Sequence, residues 1–192
     1  MIIISGVLAY LIGSVTFGMI VPRLMGTSKD VRKEGSGNVG ATNVFRTQGK
    51  LQGLLVMLGD MLKGVVAALI GISLAGTAGG AVAGACVFLG HCFPLYFGFK
   101  GGKGVATGCG IVFVLFPKSM VVLLPIFVLL VLATRMVSVG SITGALALGV
   151  CLWLFRPPLP VAIVCALTAV TIIWKHNGNI KRILAGTENK LW

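Results

Sequence analysis

The sequence predicts an all-α protein: a polytopic transmembrane helical bundle of about seven spans, N-terminus outside and C-terminus in the cytoplasm. Three observations carry this. The 192 residues are 57% apolar and only 10% charged, with a mean hydropathy of +1.04, whereas soluble domains are roughly 25% charged. The apolar residues fall into runs at roughly 2–22, 51–75, 78–97, 105–116, 119–134, 139–155 and 159–174. About 20 such residues cross a bilayer core, so residues 1–192 read as one transmembrane domain. The third observation is the placement of positive charge, which fixes orientation. With the N-terminus outside, the inner segments collect Arg23, Lys29, Arg32, Lys33, Arg46, Lys50, Lys100, Lys103, Arg135, Lys175, Lys181, Arg182 and Lys190. Only Lys118 and Arg156 fall outside.

Each run has its own signature. The first meets no charge before Arg23 and has no basic segment ahead of it, so it is expected to be a retained span and not a cleaved signal peptide. The second carries Asp60 and Lys63, three residues apart and hence on one helical face. Charges inside a membrane usually face a bundle interior, and a structural ion pair is the expectation. The fourth and fifth runs are short, with Pro117 and Lys118 between them. They form either two spans or one broken or re-entrant element, and discounting them would leave five spans. Cys86, Cys92, Cys109, Cys151 and Cys165 form no CxxC pair and read as small packing residues.

The net charge of +12 is spread over inner loops, with no soluble basic domain to carry a duplex, so nucleic acid is not an expected partner. The only acids are Asp30, Glu34, Asp60 and Glu188. That leaves no carboxylate cluster for Mg²⁺ and no expected metal or other cofactor.

Four inner segments carry polar chemistry. In VRKEGSGNVGATNVFR, Ser36, Gly37, Asn38, Thr42 and Asn43 supply hydrogen-bonding groups on a compliant backbone, and Arg46 can fork onto a phosphate or carboxylate. In HCFPLYFGFKGGKGVAT, Gly101, Gly102 and Gly104 suit a nest of amides that cups an anion, with Lys100 and Lys103 adding charge. A helix beginning near Gly104 would aim its positive end at the same anion. His91 at the entrance reads first as a structural histidine. The turn RMVSVGS places Ser138 and Ser141 on one helical face. In KHNGNIKRILAGTENK, His176, Asn179 and Arg182 follow a spacing of three that aligns them on one side of a helix, which Gly186 would end.

The segments SGNVGATNVFR, GHCFPLYFGFKGGKGVAT and KHNGNIKRILAGTENK, in this order, resemble the three motifs of the bacterial membrane glycerol-3-phosphate acyltransferases that use acyl phosphate. The resemblance spans the whole chain. It implies transfer of a fatty acyl group from acyl phosphate to the 1-position of sn-glycerol 3-phosphate, giving lysophosphatidic acid and inorganic phosphate in phospholipid synthesis. It further implies a multi-pass protein of the bacterial inner membrane with its site facing the cytoplasm. The partners implied are the two substrates and membrane lipid, with the protein a monomer working near the enzyme that forms acyl phosphate. Lys103, His176, Asn179 and Ser141 are then the catalytic set. The substrate-binding set adds Arg182, Thr187 and Glu188 from the tail to the loop residues above. The H-x4-D motif of thioester-using acyltransferases is absent, since Tyr96 follows His91 and Lys181 follows His176 at that spacing. An organic-phosphate transporter or channel is the alternative, but the spans lack a ladder of polar residues crossing the membrane.

Overall fold

The computed structural model describes residues 1–27 and 29–192, and among these every regular element is helical. Helices α1 (Ile2–Ser14) and α2 (Phe17–Leu24) meet at a 45° bend. A short helix α3 (Ala41–Thr47) precedes the long α4 (Lys50–Cys92). Then follow α5 (Val105–Leu115), α6 (Pro117–Thr134), α7 (Val137–Phe155), α8 (Leu159–Lys175) and α9 (Asn177–Leu184), the last two bent by 52°.

The apolar runs 51–75 and 78–97 were separated by a two-residue gap, and the structure places a hairpin there. Ala75 (φ −153°, ψ 30°) and Gly76 (φ 62°, ψ −156°) break α4 into two antiparallel arms. The turn needs the left-handed backbone that glycine adopts without a Cβ penalty. Just inside it the arms touch so closely that a Cβ on Gly71 would strike the Gly79 carbonyl.

Small residues govern the packing, as in membrane bundles generally. Gly13 of α1 lies on the backbone of Val87, and Gly90 lies on the Tyr10 carbonyl, so α1 and the second arm nearly touch. Gly110 of α5 lies likewise against the Met61 carbonyl of the first arm. The main core gathers Val87, Ile111, Val164, Cys165 and their neighbours from α4, α5 and α8. All five cysteines are free; Cys92, Cys151 and Cys165 are core residues as expected, whereas Cys109 borders the cavity described below. Large apolar side chains such as Val121, Leu129, Leu167 and Val170 cover the outer surface, the arrangement of a bundle whose solvent is lipid.

By length and hydropathy, α4, α6 and α7 are each able to cross a membrane, and the bent pairs α1–α2 and α8–α9 raise that to five among the described residues. Helix α4 supplies two apolar arms, and α5 is an apolar helix of 11 residues. The ambiguity over residues 105–134 resolves into two helices that part at Phe116 (φ −143°, ψ 56°), directly before Pro117.

The Asp60–Lys63 pair forms at 2.8 Å and is buried. Lys63 Nζ also donates to the carbonyls of Gly13 (3.0 Å) and Val15 (2.8 Å). Those carbonyls sit where α1 ends, a place where helices leave acceptors without partners. The pair therefore holds the α1–α2 break against α4, the structural role expected of it.

Candidate active site

A cavity of about 380 Å³ opens between α3, α5, α6, α7, α8 and the C-terminal strap. One end is polar, lined by Arg46, Lys103, Ser138, Ser141, His176 and Asn179 among others. The opposite end is apolar, lined by residues such as Val112, Met120, Leu124, Phe127 and Leu148.

The polar end is organised by Glu188. Its Oε1 accepts from Asn179 Nδ2 (2.6 Å) and Ser138 Oγ (2.8 Å), and its Oε2 accepts from Arg182 Nε (2.8 Å). Asn179 Oδ1 accepts in turn from Lys103 Nζ. Arg46 reaches across from α3 and donates to the Asn189 carbonyl at 2.6 Å, while the Leu191 amide donates to the Arg135 carbonyl at 2.7 Å. The residues after α9 are thereby strapped across the ends of α3, α7 and α9. Gly186 (φ 69°) turns the chain into this strap, ending the helix where the sequence indicated.

Lys103, Arg46 and Arg182 thus crowd one carboxylate. Burial pushes the Lys103 ammonium down to about 8; Glu188 opposes this, and Arg182 and Arg46 reinforce it. His176 lies just past the end of α8, with Nδ1 2.7 Å from the Ile172 carbonyl. A carbonyl can only accept, so Nδ1 carries the proton and the neutral ring offers Nε2 as an acceptor. Ser141 Oγ donates to the Val137 carbonyl (2.9 Å), leaving its oxygen lone pairs for the cavity. The amides of Val105, Ala106 and Thr107 belong to the first turn of α5 and have no partner within the helix.

The structure brings Ser36, Asn38, Thr42, Arg46, Lys103, Gly104, Ser138, Ser141, His176, Asn179 and Arg182 to one cavity. Several other residues read as substrate-binding prove to have different work. Asn43 borders the cavity, but its amide donates to the Val31 and Glu34 carbonyls (3.1 and 3.0 Å) and its Oδ1 accepts the Ser36 amide (2.9 Å). It folds the loop that presents Ser36. Glu188 also lines the cavity, where it bears the same sign of charge as a phosphate and arranges the donors of Ser138, Asn179 and Arg182. Gly37, Lys100 and Thr187 do not reach the cavity, and Lys100 and Thr187 are exposed.

The glycine loop also differs from the expected nest. The Gly102 amide donates to the His91 carbonyl (3.2 Å), and a Cβ at Gly102 would strike the His91 imidazole. A Cβ at Gly101 would strike the His91 carbonyl. These glycines let the loop pack on His91, whose Nδ1 lies 3.4 Å from Asp60 Oδ1. His91 also lines the cavity, and its ring is wedged between Asp60 and Gly102, which gives it a structural role there. The amides left without helical partners are those that follow Gly104 (φ 86°), at the head of α5. Sequence reasoning missed the Asn189 carbonyl under Arg46, because no side-chain pattern marks a backbone acceptor.

Residues 3–186 match the family described as glycerol-3-phosphate acyltransferase. The chain belongs to that family. The glycerol-3-phosphate acyltransferase of Syntrophotalea carbinolica is 44% identical over 184 residues, 95% of this chain and 93% of that protein. The one from Syntrophomonas wolfei is 45% identical over 188 residues, 96% and 94% of the two chains. A crystal structure of PlsY (YgiH), an integral membrane glycerol 3-phosphate acyltransferase in its glycerol 3-phosphate form, superposes with a TM-score of 0.92. It is 39% identical and covers 98% of this chain and 94% of that one. Its lysophosphatidic acid form superposes with a TM-score of 0.89 at 38% identity. The family makes this chain an integral membrane acyltransferase. Such an enzyme has to seat a charged acceptor against an apolar acyl chain, and the cavity has one end suited to each.

Proposed function

We propose that the chain transfers a fatty acyl group from acyl phosphate to the 1-hydroxyl of sn-glycerol 3-phosphate, releasing inorganic phosphate and leaving lysophosphatidic acid. The observation that carries this is the single cavity in which Arg46, Lys103 and Arg182 face a slot lined by α5, α6 and α7. Three cations suit two phosphate-bearing substrates, and the slot suits the acyl chain. Acyl phosphate is a mixed anhydride already activated for transfer, so the reaction needs no nucleotide, metal or other cofactor.

Lys103 and the head of α5 stand where the polar end meets the slot, and hold the phosphate of the donor. Arg46 on the loop side, with His176 and Asn179, holds the acceptor. The acceptor hydroxyl oxygen bonds to the acyl carbon as the acyl carbon–phosphate oxygen bond breaks. Its proton passes to His176 Nε2 or to a phosphate oxygen. Negative charge grows on the departing phosphate, where Lys103 and oriented amides are worth most. Holding hydroxyl and acyl carbon in contact contributes several kcal/mol more.

The deciding experiment is phosphate release by purified protein in detergent. Release should require both acyl phosphate and glycerol 3-phosphate. A transporter would bind one of them and release nothing.

Lys103 titration supplies a second test. The ammonium is charged below about 8, so kcat/KM for acyl phosphate should fall as pH rises through that value. Lys103→Arg stays charged throughout and should abolish the alkaline limb, whatever its absolute rate. An unchanged limb in that variant would assign the titration to another group.

We also infer seven spans in a bacterial inner membrane, with the site facing the cytoplasm and residues 1–192 acting as one domain. The lysine and arginine asymmetry supports this. Ser36→Cys, Lys100→Cys and Gly178→Cys, made without the native cysteines, should be labelled only from the cytoplasmic side. A periplasmic label at any of them would invert the arrangement.

A further inference from the structure

Helix α7 runs from the polar end of the cavity into its apolar end. Ser138, Ser141, Ala145 and Leu148 follow one another along its cavity side at steps of three and four. At 1.5 Å per residue, Gly144 and Leu148 lie about 5 and 10 Å beyond Ser141. Two glycines on this wall behave differently. A Cβ at Gly140 would meet Val131 and Phe127 of α6 at 2.9–3.1 Å, so Gly140 is required for the two helices to touch. A Cβ at Gly144 would meet nothing within 4 Å, although Gly144 lines the cavity. Helix packing does not require that glycine; it leaves space in the slot. Leu148 is only 4% exposed and Cys151, one turn deeper, is 1% exposed and outside the cavity lining, so the slot ends at Leu148.

We infer that α7 sets the acyl-chain length this enzyme accepts, Gly144 keeping the slot open and Leu148 forming its floor. This rests on the donor assignment proposed above. A leucine at position 144 would fill the space opposite Leu124 and Phe127 and exclude the distal methylenes of a long chain. Each methylene denied burial costs about fourfold in binding, so losing three or four of them costs on the order of 100-fold. Shortening Leu148 lowers the floor and extends the slot by roughly one helical turn.

The experiment measures phosphate release with glycerol 3-phosphate and a series of acyl phosphates of graded chain length. Gly144→Leu should reduce kcat/KM for the longest donors by about 100-fold, keep the shortest near wild type and leave the KM for glycerol 3-phosphate unchanged. Gly144→Ala, whose Cβ enters open space in a helix that prefers alanine, should shift the profile less but in the same direction. Leu148→Ala should move the optimum towards longer chains. A uniform loss across all lengths in the Gly144 variants, or a wild-type profile in all three, overturns this inference alone. Absence of acceptor-dependent release from wild type with every donor overturns the donor assignment and this inference with it.

Discussion

Lys103→Ala should lower kcat on the order of 100-fold, because removing one donor from a developing oxyanion typically costs that much or more. The side chain is fixed in position by Asn179, which Glu188 holds from the other side. Its charge is therefore already aimed before the phosphate departs. A group that interacts mainly with charge appearing in the transition state affects kcat, with a smaller effect on KM. Arg46 differs, being held by a backbone carbonyl at the loop side of the cavity. Arg46→Ala should chiefly raise the KM for glycerol 3-phosphate, by the ~1.5–3 kcal/mol of a charge-assisted contact. Steady-state kinetics with each substrate varied in turn separates the two effects. If Arg46→Ala raised the KM for acyl phosphate and left that for the acceptor unchanged, the two phosphates would have to exchange places.

Glu188→Ala should produce a large loss of stability. It would leave Asn179 Nδ2, Ser138 Oγ and Arg182 Nε without their partner. It would also leave Arg46, Lys103 and Arg182 crowded without a counter-charge. Deleting one partner of a buried pair costs about 3–5 kcal/mol; Arg182, with 37% of its side chain exposed, brings the expectation nearer to ~2–3 kcal/mol. Burial alone would raise the Glu188 carboxyl, but hydrogen bonds from Asn179, Ser138 and Arg182 outweigh burial and hold it below its usual 4.5. The folded value lies below the unfolded one, so this stabilisation is complete above 4.5 and is lost as pH falls through the folded value. Thermal unfolding in detergent should show Glu188→Ala less stable than wild type at neutral pH, with the difference narrowing in acid. A constant difference across that range would place the effect outside the carboxylate.

Fold class, helix order, membrane character and most of the cationic and amide groups at the site are legible in the amino-acid sequence alone. Those features are local or periodic. Runs of apolar residues, the spacing of His176, Asn179 and Arg182, and the helix stop at Gly186 depend on near neighbours in the chain. The tertiary structure decided what each group does once assembled. Gly101 and Gly102 resembled an anion nest because glycine signals close approach without saying to what, and the partner turned out to be His91. Asn43 carried the same hydrogen-bonding groups as Asn179, yet its contacts are spent inside its own loop while those of Asn179 join Lys103 to Glu188. Glu188 lies 85 residues from Lys103 in sequence, and only the strap over α9 makes one the counter-charge of the other. Nor does sequence distinguish Gly140 from Gly144: a missing side chain acquires a function only from what the neighbouring helix puts beside it.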